Sequence, residues 1–146
     1  MSHFSKIAVQ FKDQSCLVEA LRHLGFYPQI HSSPVNLYGW RGDKREEVAH
    51  IVVPREQISR VSNDLGFWFN GTDYECLISD YDRHNGQAFS GVGLGTQFIS
   101  KLRQHYINLY LPLVATQFGG EIVETVTNGS VTTVRVSLQT QQHTRK

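Results

Sequence analysis

Asp80, Asp82 and His84 stand at alternate positions near the middle of a 146-residue chain. On an extended backbone all three lie on one side. Carboxylate and imidazole together suit a divalent metal ion, so these residues are the metal-site candidates of a small metal-dependent or ligand-binding enzyme. A metal centre also needs further ligands and supporting hydrogen bonds. A solvated strand end, its acids balanced by Arg83 and nearby bases, is the plainer reading. Gly91-Val92-Gly93-Leu94-Gly95 precedes a helical stretch and could cradle a phosphate on free N–H groups. No Lys-Ser/Thr follows it and no parallel strand precedes it, so it matches neither nucleotide-binding loop, and a simple glycine-rich loop is preferred. Arg103, His105 and Tyr106 offer acid–base groups, but neighbouring helical residues diverge, so Tyr106 reads as core and Arg103 as surface. Cys16 could serve as a thiol nucleophile beside one of seven histidines, yet its helical setting favours packing. No Gly-x-Ser-x-Gly occurs to support a serine nucleophile. Trp40, Trp68 and Phe69 are the partner-binding candidates; with Phe67 they could instead stack single-stranded RNA bases. No catalytic residue and no cofactor are assigned.

The composition narrows these options. The chain is 40% hydrophobic and 18% charged, which excludes a disordered polymer and allows one domain with a real core. A formal net charge of +1 lacks the basic excess of a nucleic-acid footprint. No apolar run is long enough to span a bilayer. The opening MSHFSKIAVQF has no secretory pattern, so the expectation is a protein that works where it is made or one whose sequence is already trimmed. Cys16 and Cys76 are far apart and outside any Cys-x-x-Cys motif; two free, buried thiols in a reducing compartment are expected, with a redox pair as the alternative. Asn70-Gly71-Thr72 and Asn128-Gly129-Ser130 match a glycosylation sequon but read as hairpin turns. Arg41-Gly42-Asp43 reads as a plain turn.

The elements that must position these residues follow from spacing. Ile7, Val9 and Phe11 alternate as a one-sided strand. Asp13 caps a helix whose stripe is Leu17, Leu21 and Leu24, and Gly25 stops it. Pro28 to Pro34 reads as a polar linker around His31, Ser32 and Ser33. Strands are expected at Val35–Trp40 and Glu47–Val53 about a turn at residues 41–44. Pro54 starts a short helix carrying Ile58, Val61 and Leu65, which Gly66 ends. Two aromatic strands then meet at Asn70-Gly71-Thr72-Asp73, with Tyr74, Cys76 and Ile78 on one face and Glu75, Leu77 and Ser79 on the other. A polar loop covers 83–95. The longest helix begins near Thr96, with Phe98, Leu102, Tyr106 and Leu109 on one side and Pro112 set to kink or tighten it. A last hairpin turns at Asn128-Gly129, placing Val123 opposite Val134 and Glu124 diagonal to Arg135. The fold expected is α+β: a mainly antiparallel sheet with two main helices on one face. Two βαββ-like halves would share that sheet in a single domain over 1–138, with a polar tail at 139–146.

The ordered set of short motifs resembles the hypothetical chloroplast reading frame thirty-five family. The motifs are Met1-Ser2-His3-Phe4-Ser5, Leu24-Gly25, Tyr38-Gly39-Trp40-Arg41-Gly42, Asp64-Leu65-Gly66-Phe67, Asn70-Gly71, Tyr74-Glu75, Asp80 and Gln104-His105-Tyr106. The resemblance extends to Leu138. It departs at Tyr81, where the family often has tryptophan, and in the glycine-rich loop at residues 86–95. The resemblance implies a plastid stroma or a cyanobacterial cytoplasm and carries no reaction or catalytic residue with it. The leading expectation is a non-enzymatic accessory or protein-binding factor of the photosynthetic compartment. The alternatives are the metal-dependent enzyme at Asp80, Asp82 and His84, and a single-stranded RNA-binding module.

Overall fold

The computed structural model describes residues 4–84, 94–95, 97–117, 119–128 and 131–138. The chain runs β1 (Phe4–Phe11), α1 (Gln14–His23), β2 (Gln29–Tyr38), β3 (Lys44–Val53), a 3-10 turn (Arg55–Gln57), β4 (Leu65–Phe69) and β5 (Tyr74–Ser79). It continues with α2 (Asp80–His84), α3 (Phe98–Gln117), β6 (Gly120–Asn128) and β7 (Val131–Leu138). The fold is α+β. Contacts divide the chain into two compact units, Met1–Tyr106 and Ile107–Lys146, with the boundary inside α3. Residues 139–146 lie outside the described residues.

The first unit holds a five-stranded sheet of order β1-β5-β4-β3-β2. Every neighbouring pair is antiparallel. The pairs Ile51–Phe67, Val53–Leu65 and Phe67–Cys76 put their side chains on one face. The helices cover that face. Phe11 meets Phe67 edge-on at 6.1 Å and Tyr106 of α3 at 4.9 Å, and Phe26 meets Phe98 at 6.0 Å. Leu17 and Leu21 of α1 and Leu102 of α3 are fully buried. The opposite face carries a cluster of Leu37, Ala49, Val52 and Leu77, with Phe4, Val35 and Trp68 packed against it. Gly66 lies between them. A Cβ there would come within 2.8 Å of the Ala49 Cβ and 2.9 Å of both Leu37 methyl carbons. That close approach is why the position is glycine.

Local chemistry fixes α1 as the sequence indicates. The Asp13 carboxylate accepts the Cys16 N–H at 2.8 Å. Gly25 at φ +97° closes the other end: its N–H donates to the Arg22 carbonyl, and the Phe26 N–H reaches back to Leu21. This satisfies the last carbonyls of the helix. Phe26 and Leu21 are both buried, which supplies the apolar contact that accompanies such a cap.

Four expectations are corrected. The stretch around His31, Ser32 and Ser33 is strand, not linker. β2 is an edge strand, so its exposed polar side chains need no buried face, and Pro34 sits in a register shift between Ile30 and Val35 where no ladder donor is required. The helix expected from Pro54 to Leu65 is only the 3-10 turn; Leu65 and Gly66 already belong to β4. The two halves do not share a sheet, because β6 and β7 pair only with each other among the described residues. In that hairpin Asn128 pairs with Val131, one step later than expected. Glu124 therefore faces Arg135 directly, and Val123 falls in a register shift.

The second unit comprises the remainder of α3 and the β6–β7 hairpin. α3 runs helically through Pro112, and the Thr116 hydroxyl donates to the Pro112 carbonyl at 2.8 Å. No helix among the described residues is long and apolar enough to cross a membrane.

Candidate functional site

Among the described residues, five polar ones are buried, all in the first unit: Ser62, Asn63, Asp64, Ser79 and Asp82. Buried polar groups demand partners, and here the partners trace one line through the molecule. At its root, the Asp82 carboxylate accepts the Ser62 hydroxyl, the Ser79 hydroxyl at 2.9 Å and the Asn63 N–H at 3.3 Å. The Asp82 N–H returns a bond to the Ser79 hydroxyl at 3.0 Å, and the Ser59 and Ser62 hydroxyls lie 2.6 Å apart. Burial pushes the Asp82 carboxyl above its ordinary value against the pull of these donors.

The next residues pass the support outward to the turn between β2 and β3. The Asn63 side-chain oxygen accepts the Trp40 N–H at 2.9 Å. Asp64 accepts the Tyr38 N–H at 2.8 Å and the Arg55 N–H at 2.9 Å, and its own N–H donates to the Tyr38 carbonyl at 2.9 Å. Arg55 donates its Nε to the Gly39 carbonyl at 3.0 Å and its Nη2 to the Trp40 carbonyl. Burial also raises the Asp64 carboxyl, opposed by the Arg55 and Tyr38 backbone donors.

The turn itself closes with the Gly39 N–H on the Asp43 carbonyl and the Gly42 N–H on the Gly39 carbonyl, both at 2.8 Å. Gly42 has φ +80°, a conformation that glycine adopts without steric cost. Asp43 and Arg45 pair at 2.6 Å. That hydrogen bond from the guanidinium holds the exposed Asp43 carboxyl below its usual range. At the tip, the Arg41 guanidinium lies over the Trp40 ring at 4.7 Å. A cavity of about 410 Å³ opens beside the turn.

Of the sequence candidates, Asp82 and Trp40 belong to this arrangement and the others fall elsewhere. Asp80, Asp82 and His84 lie in one short helix, α2, and not on an extended strand, so Asp80 and Asp82 point away from each other. Asp80 is exposed while Asp82 is 1% exposed and committed to hydroxyl and N–H donors. No group of three or more His, Cys, Asp or Glu side chains among the described residues is placed to hold a metal. Gly91, Val92 and Gly93 of the glycine-rich loop lie outside the described residues. Leu94, expected in a polar loop, is buried, and the Gly95 N–H donates to the Asp82 carbonyl at 2.8 Å.

Trp40, Trp68 and Phe69 do not form one patch. Trp68 packs against the Leu37 cluster. Phe69 alternates to the opposite face, where its ring meets Tyr74 at 4.9 Å in a tilted contact. Trp40 alone sits on the turn. Phe67 is fully buried, so the stacking platform that single-stranded RNA would need is not assembled from these rings. Tyr106 is core: its hydroxyl accepts the Lys12 and Asp13 N–H groups at 2.8 and 2.9 Å. His105 diverges from it, meeting His23 edge-on at 5.5 Å. Cys16 and Cys76 are free and buried. Burial pushes the Cys16 thiol up to about 11 and the Cys76 thiol higher still. Neither is a thiolate at neutral pH, so neither is an activated nucleophile.

Sequence reasoning missed Asn63, Asp64 and Arg55. The available signal was two polar residues, Asn63-Asp64, set directly before a buried aromatic strand.

A family model described as protein of unknown function (DUF1257) matches residues 20–136. The chain belongs to this family. The match spans the turn, all three of its supporting residues and Asp82. No curated protein and no solved structure matches the sequence.

Proposed function

We propose that this chain is a non-enzymatic binding protein whose recognition element is the Gly39–Asp43 turn with Trp40 and Arg41. The observation behind this is the support of the turn. Asn63, Asp64 and Arg55 together hold the backbone of Tyr38, Gly39 and Trp40. A connection between two antiparallel strands needs no such framework. A preorganised turn loses little conformational freedom when it docks. The exposed Arg41 and the half-buried Trp40 are residue types that dominate binding energy at protein interfaces. The buried acids supply structure to the turn. The photosynthetic compartment, plastid stroma or cyanobacterial cytoplasm, is proposed as the setting on the strength of the sequence resemblance.

The test is capture from plastid and cyanobacterial lysates on immobilised full-length chain, run beside Arg41→Glu. A partner retained by the wild type and lost by the variant, with both melting at the same temperature, supports the reading. Identical captured sets from the two proteins would overturn it.

A further inference from the structure

The cavity beside the turn is lined by Gln29, Tyr38, Arg41, Gly42, Arg55 and Asp64, among others. Its volume of about 410 Å³ falls within the range of small-ligand sites and is large enough to seat a side chain or two. The lining groups divide by whether their bonding capacity is already taken. Both Asp64 oxygens accept backbone N–H groups. Arg55 has two of its nitrogens on carbonyl oxygens, and Nη1 lies 3.9 Å from Glu56. The groups still facing outward are Arg41, which is exposed and held over Trp40, Tyr38 at 43% exposure, the exposed Gln29, and one acid, Glu56, which is exposed and paired with Arg55 rather than Arg41.

We infer that this cavity takes an acidic peptide segment of a protein partner, with a Glu or Asp carboxylate on Arg41 and an adjacent aromatic side chain against Tyr38. This rests on the binding reading of the turn and names the chemistry of what it binds. A guanidinium over an indole face keeps N–H donors free, and its fork matches a carboxylate with two parallel bonds. The contact with Trp40 at 4.7 Å holds Arg41 at the turn. Asp64 opposes an incoming anion least because it faces inward onto N–H donors, and Glu56 sits beside Arg55. One outward guanidinium balances one carboxylate charge, whereas a phosphate dianion calls for a second cation or a set of free N–H donors. Tyr38 supplies the apolar wall through its exposed ring.

The probes are the blocked tetrapeptide acetyl-Phe-Glu-Phe-Glu-amide, its Gln counterpart acetyl-Phe-Gln-Phe-Gln-amide, and adenosine monophosphate. Each is titrated into the isotope-labelled full-length chain by NMR. The Glu peptide should shift the Trp40 indole N–H and the Gly39 and Gly42 amides. It should bind about tenfold more tightly than the Gln peptide, the size expected for a hydrogen-bonded charge pair. Arg41→Gln should abolish that difference. Because Arg41 is exposed, the variant should fold; Arg41→Lys, which keeps the charge and loses the fork, should restore only part of the preference. Equal binding of the two peptides, no shift at millimolar Glu peptide, or tighter Arg41-dependent binding of the nucleotide would each overturn the inference. If lysate capture depends on Arg41 while the peptides fail, the acidic chemistry falls and the docking reading stands. If the Glu peptide binds as expected while the captured sets are identical, the docking reading falls instead.

Discussion

Two turns in the first unit are built in opposite ways. The turn between β4 and β5 holds itself. The Asn70 side-chain oxygen accepts the N–H groups of Thr72 and Asp73, each at 2.9 Å, and the Asn70 N–H closes the loop on the Asp73 carbonyl. These bonds lie within four residues; beyond them the Asn70 side chain reaches Glu75 and the Lys12 ammonium meets the Asp73 side chain at 2.9 Å, neither of which holds the backbone of the turn. The turn between β2 and β3 also closes on itself, through Gly39 and Asp43, but its backbone is additionally held from positions 15 to 26 residues away. The first turn is a connector that its own sequence specifies. The second exists in this form only once β4 has docked, so its geometry reports the assembled fold. Connection alone does not explain that investment in buried polar groups, each of which is costly if left unpaired.

The largest expected effect comes from removing the support. Asp64→Ala strands the Tyr38 and Arg55 N–H groups, and buried donors left without acceptors cost about 3 kcal/mol in total. Chemical denaturation should show that loss. Hydrogen exchange should show it at Tyr38, Gly39 and Trp40 before it shows at Phe67 or Cys76. Uniform loss of protection across the sheet would mean that Asp64 supports the fold in general and the turn no more than anything else.

A second effect is smaller and has a sign. Burial raises the Asp82 carboxyl above its ordinary value of 3.8, so folding favours the protonated form. The associated stability is complete below that ordinary value and is lost as pH rises through the raised one. The wild type should therefore gain on Asp82→Asn as the pH is lowered from 7 towards 4. Denaturation of both proteins at several pH values checks this; a constant gap, or one that widens in the variant's favour, would show that the hydroxyl and N–H donors outweigh burial.

The same contrast explains what the sequence discloses. The α1 cap at Asp13, its stop at Gly25 and the turn at Asn70 were legible because each is written within a few residues. The aromatic strands β4 and β5 were legible from their alternation. The first half of β2 was not, although its second half was expected as strand from Val35 on: an edge strand with Ser32, Ser33 and Pro34 facing water carries no hydrophobic period. Ile58, Val61 and Leu65 imitate a helical stripe, but Leu65 belongs to a strand whose pairing with Val53 is a long-range fact. The acids at 80 and 82 share a face only while extended, and the Ser79 hydroxyl bonded to the Asp82 N–H instead starts a helical turn. The support of the second turn left the least trace, because Asn63 and Asp64 look like loop residues until β2 is brought beside them.

The smallest expected effect sharpens the comparison most. Asn70 is exposed, so in Asn70→Ala the Thr72 and Asp73 N–H groups turn to water rather than being stranded. The Asn70 N–H still reaches the Asp73 carbonyl, and Gly71 still supplies its positive φ of 103°. Only the side-chain bonds go, including one from Asn70 to Glu75 at 2.6 Å. The cost should be about 1 kcal/mol, the net value of a solvent-facing hydrogen bond or two. Exchange at Tyr38 and Trp40 should not change, since nothing in the second turn depends on Asn70. A loss as large as that of Asp64→Ala would mean that local and distant support count alike in this fold. The framework beneath Trp40 and Arg41 would then mark nothing beyond ordinary turn formation.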